Sequence, residues 1–297
     1  MLFKNLTLLK YTGELKFDIE TLEEVLEKDR FIPCSSSQAQ SIGWVEPRGI
    51  ENGPLVEAVG GQWFFRLMME DKPVPAGIIK RKVSEQCDKI EQESGRRPGR
   101  KYQKDLKDQV MLELLPHAFP RQRAFNVWIN PKHQWIMVDT SSSTHAGVVS
   151  TALVKALEGI AIIDLQTSTS PAVGMTQWLL DAPAAAWTVD MDCELRSDQE
   201  LKPVLRYARH PLDTPEIRAH LEQGMQPTQL ALTWRDRISL ILTHEFKLKR
   251  ISFLDVVFDS NQHDADDAFD GDAAITAGEL LPLLESLVEM LDGELKR

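Results

Sequence analysis

Apolar residues recur along this chain in two periods, and the switches between them set the expected elements. Leu2 to Tyr11 is an apolar run suited to a strand, and Ile19, Leu22, Val25 and Leu26 then recur at helical spacing within Asp18 to Lys28. Phe31 to Cys34, Gly43 to Val45 and Gln62 to Met69 read as short strands separated by Gly, Pro and Ser. After Pro73 and Pro75 the period changes. Ile78, Ile79, Val83, Cys87 and Ile90 form one helical stripe, which resumes beyond Ser94-Gly95-Arg96-Arg97-Pro98-Gly99 as Tyr102, Leu106, Val110, Leu114 and Leu115 until Pro116 stops it. Two amphipathic helices of about 15 residues, each about 20 Å long, are expected to pack as a hairpin that projects as a finger.

Strand periodicity returns at Ala124 to Ile129 and Gln134 to Asp139, around a turn at Asn130 to His133. Ser143 or Thr144 is placed to cap a helix running to Gly159, and Ile160 to Leu165 reads as a strand. Further strands are expected at Ala186 to Leu195, Val204 to His210, Thr228 to Trp234, Ile238 to Thr243 and Leu248 to Phe253. Helices are expected at Thr176 to Leu180, Pro215 to Gln223 and Ile275 to Leu291. Strands and helices mix without regular alternation, so the fold class is α+β, with mixed or antiparallel sheets and packed helices. Strand material on both sides of the basic hairpin makes 76–117 an insertion. The expected division is a central sheet domain of 1–75 and 118–165, the finger, and a C-terminal base domain of 166–297.

Charge changes the picture most. Ten cations (Lys80, Arg81, Lys82, Lys89, Arg96, Arg97, Arg100, Lys101, Lys104 and Lys107) stand against five acids between Ile78 and Lys107, a net of +5. The whole 297-residue chain is formally −11, so −16 falls on the remainder. Positive charge concentrated in one element of an acidic protein suits a polyanion at that element. The bland alternative is a solvated helix pair, with pairs such as Glu85 and Lys89 consuming part of the charge. Yet no acid interrupts Arg96 to Lys104, and phosphate oxygens need only such flexible donors. Without a recognition helix or an RNA-type stacking signature, duplex contact without base readout is the expected mode.

Catalytic signatures are missing from the sequence. No phosphate loop, dinucleotide turn, His-Glu-x-x-His helix or Gly-x-Ser-x-Gly elbow occurs. His244-Glu245 lacks a second His one turn later. Asp259 to Asp272 holds six aspartates, but with Gly271 at the sixth position of a calcium loop, Ala268 and Ala277 fall on ligand positions three and twelve. An exposed acidic loop is expected there instead. Cys34, Cys87 and Cys193 are too widely spaced for a Cys-x-x-Cys site and read as reduced packing residues. Neither a signal-type apolar region nor a membrane-length apolar run is present, so a cytoplasmic protein without metal or cofactor is expected.

An ordered set of short motifs spans nearly the full chain. They include Met1 to Leu6, Phe31-Ile32-Pro33-Cys34, Gly43-Trp44-Val45-x-Pro47, Leu106-Lys107-Asp108, Leu114-Leu115-Pro116-x-Ala118-Phe119, Trp128-Ile129, Ile136 to Asp139, Leu230-Ala231-Leu232-x-Trp234 and Leu248-Lys249-Arg250. In these the chain resembles the bacterial recombination-associated RdgC family. The resemblance implies a non-enzymatic, nucleoid-associated protein whose two subunits close as a ring around duplex DNA and restrain the RecA recombinase, with single-stranded DNA as a further ligand. It assigns Phe119, with Leu115 and Pro116 beside it, to the gate where two subunits meet, and a ring lining would add Arg206 and Arg209 to the hairpin cations. The chain departs from the family at His117, where a basic residue is common, and in its Arg-Arg-Pro-Gly-Arg turn. A different reading of the same chain is a regulator that touches the recombinase directly, with DNA binding secondary.

Overall fold

The computed structural model describes residues 3–15, 18–157, 159–197, 203–258 and 268–295. The fold is α+β, and the ladders that join its strands are antiparallel. The chain divides into two compact units, one of 1–23, 46–65 and 125–297, the other of 24–45 and 66–124.

The larger unit contains β1 (Leu6–Thr12), β3 (Val56–Val59), β6 (Trp135–Val138), β7 (Ala161–Asp164), β8 (Trp187–Arg196), β9 (Val204–Tyr207), β10 (Gln226–Trp234), β11 (Ile238–Thr243) and β12 (Lys247–Phe253). The strands β4 (Gln62–Asp71) and β5 (Arg121–Asn130), like the helix α1 (Ile19–Glu27), begin in one unit and end in the other. From β5 the ladder runs β6-β1-β12-β11-β10-β8-β9, with β7 also on β1. Leu6 opposite Leu248 joins strands more than two hundred residues apart, so residues 166–297 share a sheet with the amino-terminal strand.

Alternation decides which face of that sheet is covered. Leu230, Leu232 and Trp234 of β10, Leu240 and Leu242 of β11, and Cys193 and Leu195 of β8 enter one apolar cluster. The cluster also takes Met175, Trp178 and Leu179 of α5 (Pro171–Asp181) and Leu280, Leu283, Leu284 and Leu287 of the closing helix α8 (Ala268–Met290). The helices α4 (Ser143–Ala156), α6 (Pro215–Glu222) and α7 (Asp255–Phe258) complete this unit.

The smaller unit pairs β2 (Gln40–Val45) with β4, from Gln40 opposite Asp71 to Val45 opposite Arg66. Gly43 is required there, because an added Cβ would come within 2.4 Å of the Phe31 Cα. This unit also holds α2 (Ala76–Ser94) and α3 (Arg100–Leu114), followed by a 3-10 turn at Leu115–His117.

Several expected boundaries move. Phe31 to Cys34 forms no strand. Its backbone is held by the Trp44 carbonyl and by Glu70, whose carboxylate accepts from Cys34 N–H at 2.8 Å. β9 ends at Tyr207, so Arg209 and His210 lie beyond it, Arg209 at a φ of +52°. The α4 cap is Ser142, whose hydroxyl accepts from His145 N–H. α8 starts seven residues before Ile275, which turns Asp270 and Asp272 from an exposed loop into helix, and Asp270 accepts from Arg48 at 2.6 Å. The rest of the acidic stretch, 259–267, lies outside the described residues.

Candidate nucleic-acid interface

α2 and α3 pack on each other through a narrow apolar seam. Ile79 and Cys87 of α2 and Leu106 and Val110 of α3 are buried, with Leu115 just beyond. Their spacing leaves the opposite faces of both helices to polar side chains. Gly95 ends α2 in the left-handed region, φ +75°, and its N–H closes on the Glu91 carbonyl at 2.8 Å. Gly99 then begins α3, and Gln103 folds back to donate to the Pro98 carbonyl at 2.8 Å. The turn that gathers Arg96, Arg97, Arg100 and Lys101 is therefore fixed by a glycine cap and a backbone-bound glutamine.

Nine of the ten hairpin cations are exposed and Lys82 is half-buried. Two are paired: Arg97 lies 3.2 Å from Asp88 and 3.4 Å from Glu91, and Arg81 lies 3.8 Å from Glu85. Glu85 thus turns back one turn toward Arg81. Lys80, Lys82, Lys89, Arg96, Arg100, Lys101, Lys104 and Lys107 have no ion-pair partner among the described residues. Arg100, Lys104 and Lys107 stand at i, i+4 and i+7, one face of α3. At 1.5 Å rise per residue that row spans about 10 Å, the axial length of about three phosphates on one DNA strand.

Two members of the expected stripe, Ile78 and Tyr102, are exposed, and so is Leu112, which lies off it. Tyr102 keeps the period of the seam but is 53% exposed, and Leu112 is 57% exposed. The seam runs out because Glu91, Gln92, Glu93 and Ser94 follow Ile90 on α2, leaving nothing apolar opposite the first turn of α3. Leu112 carries no signal in the sequence beyond its place off the stripe.

Past the hairpin, Leu115 is only 2% exposed and belongs to the core, whereas Pro116 and Phe119 face outward. Phe119 is 88% exposed, the largest such value among the described large apolar side chains. Just beyond, buried Glu70 accepts from the side chain of Gln122, Nε2 at 2.7 Å. The Gln122 hydrogen bond and the Cys34 N–H hold its carboxyl below the usual glutamate range.

Arg206 and Arg209 belong to the larger unit. Arg206 donates to Glu194 at 2.7 Å, and Arg209 is tied through its N–H to Asp192 at 2.8 Å. Burial pushes the Glu194 carboxyl up, but Arg206 and Thr228 together bring it below its ordinary value, so Arg206 faces a carboxylate. Its guanidinium is already paired before any ligand arrives, although it stays exposed.

A family model described as "Putative exonuclease, RdgC" matches residues 1–294. The chain belongs to the RdgC family. It is 40% identical to the recombination-associated protein RdgC of Cupriavidus necator over 300 residues, covering all of both chains. Identity to the protein of the same name from Dechloromonas aromatica is 41% over 303 residues, 99% of this chain and 98% of the relative. The relative from Bordetella pertussis is 36% identical over 298 residues, 99% of each.

The family description and the relatives' names differ in kind, one naming a nuclease and the others recombination. Among the described residues of this RdgC-family chain, no three or more His, Cys, Asp or Glu side chains are grouped to hold a metal ion. Four aspartates of the acidic stretch (Asp259, Asp264, Asp266 and Asp267) fall outside those residues. Burial drives the Cys193 thiol up to about 12, which leaves it a packing group and no nucleophile. No helix among the described residues is long and apolar enough to cross a membrane.

Proposed function

We propose that this chain acts in recombination as a non-enzymatic, sequence-independent binder of duplex DNA. It works as a homodimer that closes into a ring and restrains a RecA-type recombinase, in the cytoplasm at the nucleoid. The observation that carries the reading is the concentration of exposed, unpaired cations on α2 and α3 of an acidic chain. Lys80, Lys82, Lys89, Arg96, Arg100, Lys101, Lys104 and Lys107 are the phosphate donors. Arg81, Arg97 and Arg206 are secondary, because carboxylates already engage them, and Arg209 joins them as an exposed cation outside the hairpin, tied to Asp192 only through its backbone N–H. Pro116 and Phe119 form the outward apolar surface of the dimer gate, with Leu115 as the core anchor behind them. The helical pair is the finger, and single-stranded DNA binds the same cations more weakly.

The test is the salt dependence of affinity for two duplexes of unrelated sequence. Binding is expected to fall with a log-log slope of about −0.9 per phosphate neutralised and to differ little between sequences. A salt-insensitive or strongly sequence-selective affinity overturns the reading. Replacing Arg96, Arg97, Arg100, Lys101 and Lys104 with Gln separates the alternative: inhibition of strand exchange that survives loss of DNA binding points to direct contact with the recombinase. The family model's description gives nuclease activity its own assay, release of nucleotides from duplex ends with added magnesium, where activity abolishes the non-enzymatic part of the proposal.

A further inference from the structure

The larger unit contains a cleft that the DNA-binding reading does not use. β1 has β6 along one edge, from Thr7 opposite Val138 to Lys10 opposite Trp135. Its other edge is shared: β7 pairs with Leu9 to Thr12, and β12 pairs with Leu6 and Thr7. The two strands part beside Leu8, whose carbonyl accepts from Leu165 N–H at 3.2 Å. A sheet that forks leaves a hollow between the diverging strands, and here it is about 920 Å³. That is the size of a small-molecule site.

Lys247 stands at the start of one branch of this fork and lines the hollow. Its side chain is only 8% exposed, and its Nζ donates to Ser143 Oγ and to Glu245 Oε2, each at 2.5 Å. Its own N–H is held by Thr243 Oγ1 at 3.0 Å, which fixes the backbone beneath the ammonium. Glu245 is half exposed, so it can leave, whereas the lysine cannot. Lys247 keeps the Glu245 carboxyl below its ordinary value, so the pair is ionic.

Ser143, Gly147 and Ser150, on one face of α4, line the hollow, as do Ser170 and Pro171 at the start of α5. Two helices of 14 and 11 residues begin at its rim; Ser142 and Ser170 cap His145 and Val173, and Pro171 has no N–H, which leaves the N–H groups of Ser143 and Thr144 in α4 and of Ala172 in α5 without an intrahelical partner. Leu8, Leu9 and Phe246 supply apolar wall. The acids at this site are Glu245 and Asp164, and Asp164 is exposed. A buried ammonium, a hydroxyl bonded to it and the uncapped first N–H groups of α4 suit a tetrahedral anion with several acceptor oxygens. The volume and apolar wall call for an organic body attached to it.

We propose that this fork binds a small phosphate monoester. Its dianion replaces Glu245 as the counter-ion of Lys247 and accepts from Ser143 and the first turn of α4. Two sources share that chemistry, a free nucleoside monophosphate and the 5′-phosphate of a DNA end.

The experiment titrates the full chain with AMP and with adenosine by calorimetry, and compares a short duplex with and without a 5′-phosphate. AMP is expected to bind saturably and at least about tenfold more tightly than adenosine. Lys247→Met is expected to weaken AMP by about tenfold or more. Gly147→Leu guards against misfolding of that variant, because a Cβ at Gly147 meets nothing within 4 Å and leucine favours the helix. It fills the cleft while the thermal transition is preserved, and AMP binding is lost. A gain from the 5′-phosphate that Gly147→Leu erases assigns the DNA end as the source, and binding of AMP alone assigns the free nucleotide. Failure of AMP to bind, equal binding of adenosine, or undiminished binding in Gly147→Leu overturns the proposal, whatever the salt slope for duplex DNA.

Discussion

Phe119 is 88% exposed two residues ahead of β5, between a 3-10 turn and a strand whose second residue, Gln122, bonds through its side chain to Glu70. An outward aromatic ring offers a large apolar surface at the cost of only two side-chain torsions, which suits a subunit interface. Phe119→Ser is expected to leave thermal stability unchanged, since the ring is already in water. It should weaken self-association and shorten retention on circular DNA, measured by sedimentation and by challenge with competitor duplex. Glu70 carries the opposite kind of prediction. Its folded-state pKa is lowered, so the stability it contributes is present above the ordinary glutamate value of about 4.3 and is lost as pH falls through the folded value. Glu70→Gln should therefore be less stable than the parent near neutrality, with the gap closing in acid, as read by denaturant melts across that range. The motif Phe31-Ile32-Pro33-Cys34 is legible in the sequence as a unit, but its role is not. A carboxylate 36 residues away along the chain holds its backbone, and no local pattern announces that.

At the scale of elements, α2 and α3 are where charge and packing meet. The seam is thin, so each buried side chain matters to the pair's formation: Leu106→Ala is expected to cost about 2–3 kcal/mol. Hydrogen exchange in 76–115 should quicken, and DNA affinity should fall although no charge has been removed. Gly95→Ala places a Cβ at φ +75° and should cost about 1–2 kcal/mol, seen as a lower denaturation midpoint. The five-cation variant probes charge alone. It should keep its helix content by circular dichroism while the salt slope for duplex binding shrinks by about 0.9 for each phosphate that is no longer neutralised. The hairpin is readable in the sequence because both helices carry their own period and are bounded by Pro75, the Ser94 to Gly99 turn and Pro116. Exposure of Tyr102 is not, since period alone marks a face without saying how far along it a partner extends.

Across the whole molecule, net charge works against the proposed DNA contact and its distribution works for it. An acidic chain with one basic element binds a polyanion only where that element can reach, and because salt also screens the repulsion from the remainder, that repulsion flattens the net salt dependence. If two copies close on duplex, circular DNA should retain the protein through a high-salt wash that strips it from a linear fragment of equal length. Equal loss from both would leave phosphate contact without enclosure. What the sequence by itself determined was the identity of most elements, their order, the segregation of charge and membership of a family, because periodicity, caps and motifs are local or ordered along the chain. Only the tertiary structure decided that β12 closes on β1, that Asp270 is a helix residue paired with Arg48, that Leu115 is buried while Phe119 is not, and that a sheet fork holds Lys247 beside Ser143. Each of these depends on groups brought together from distant parts of the chain, and burial and pairing at such range follow from the summed packing of the fold rather than from any residue's neighbours in sequence.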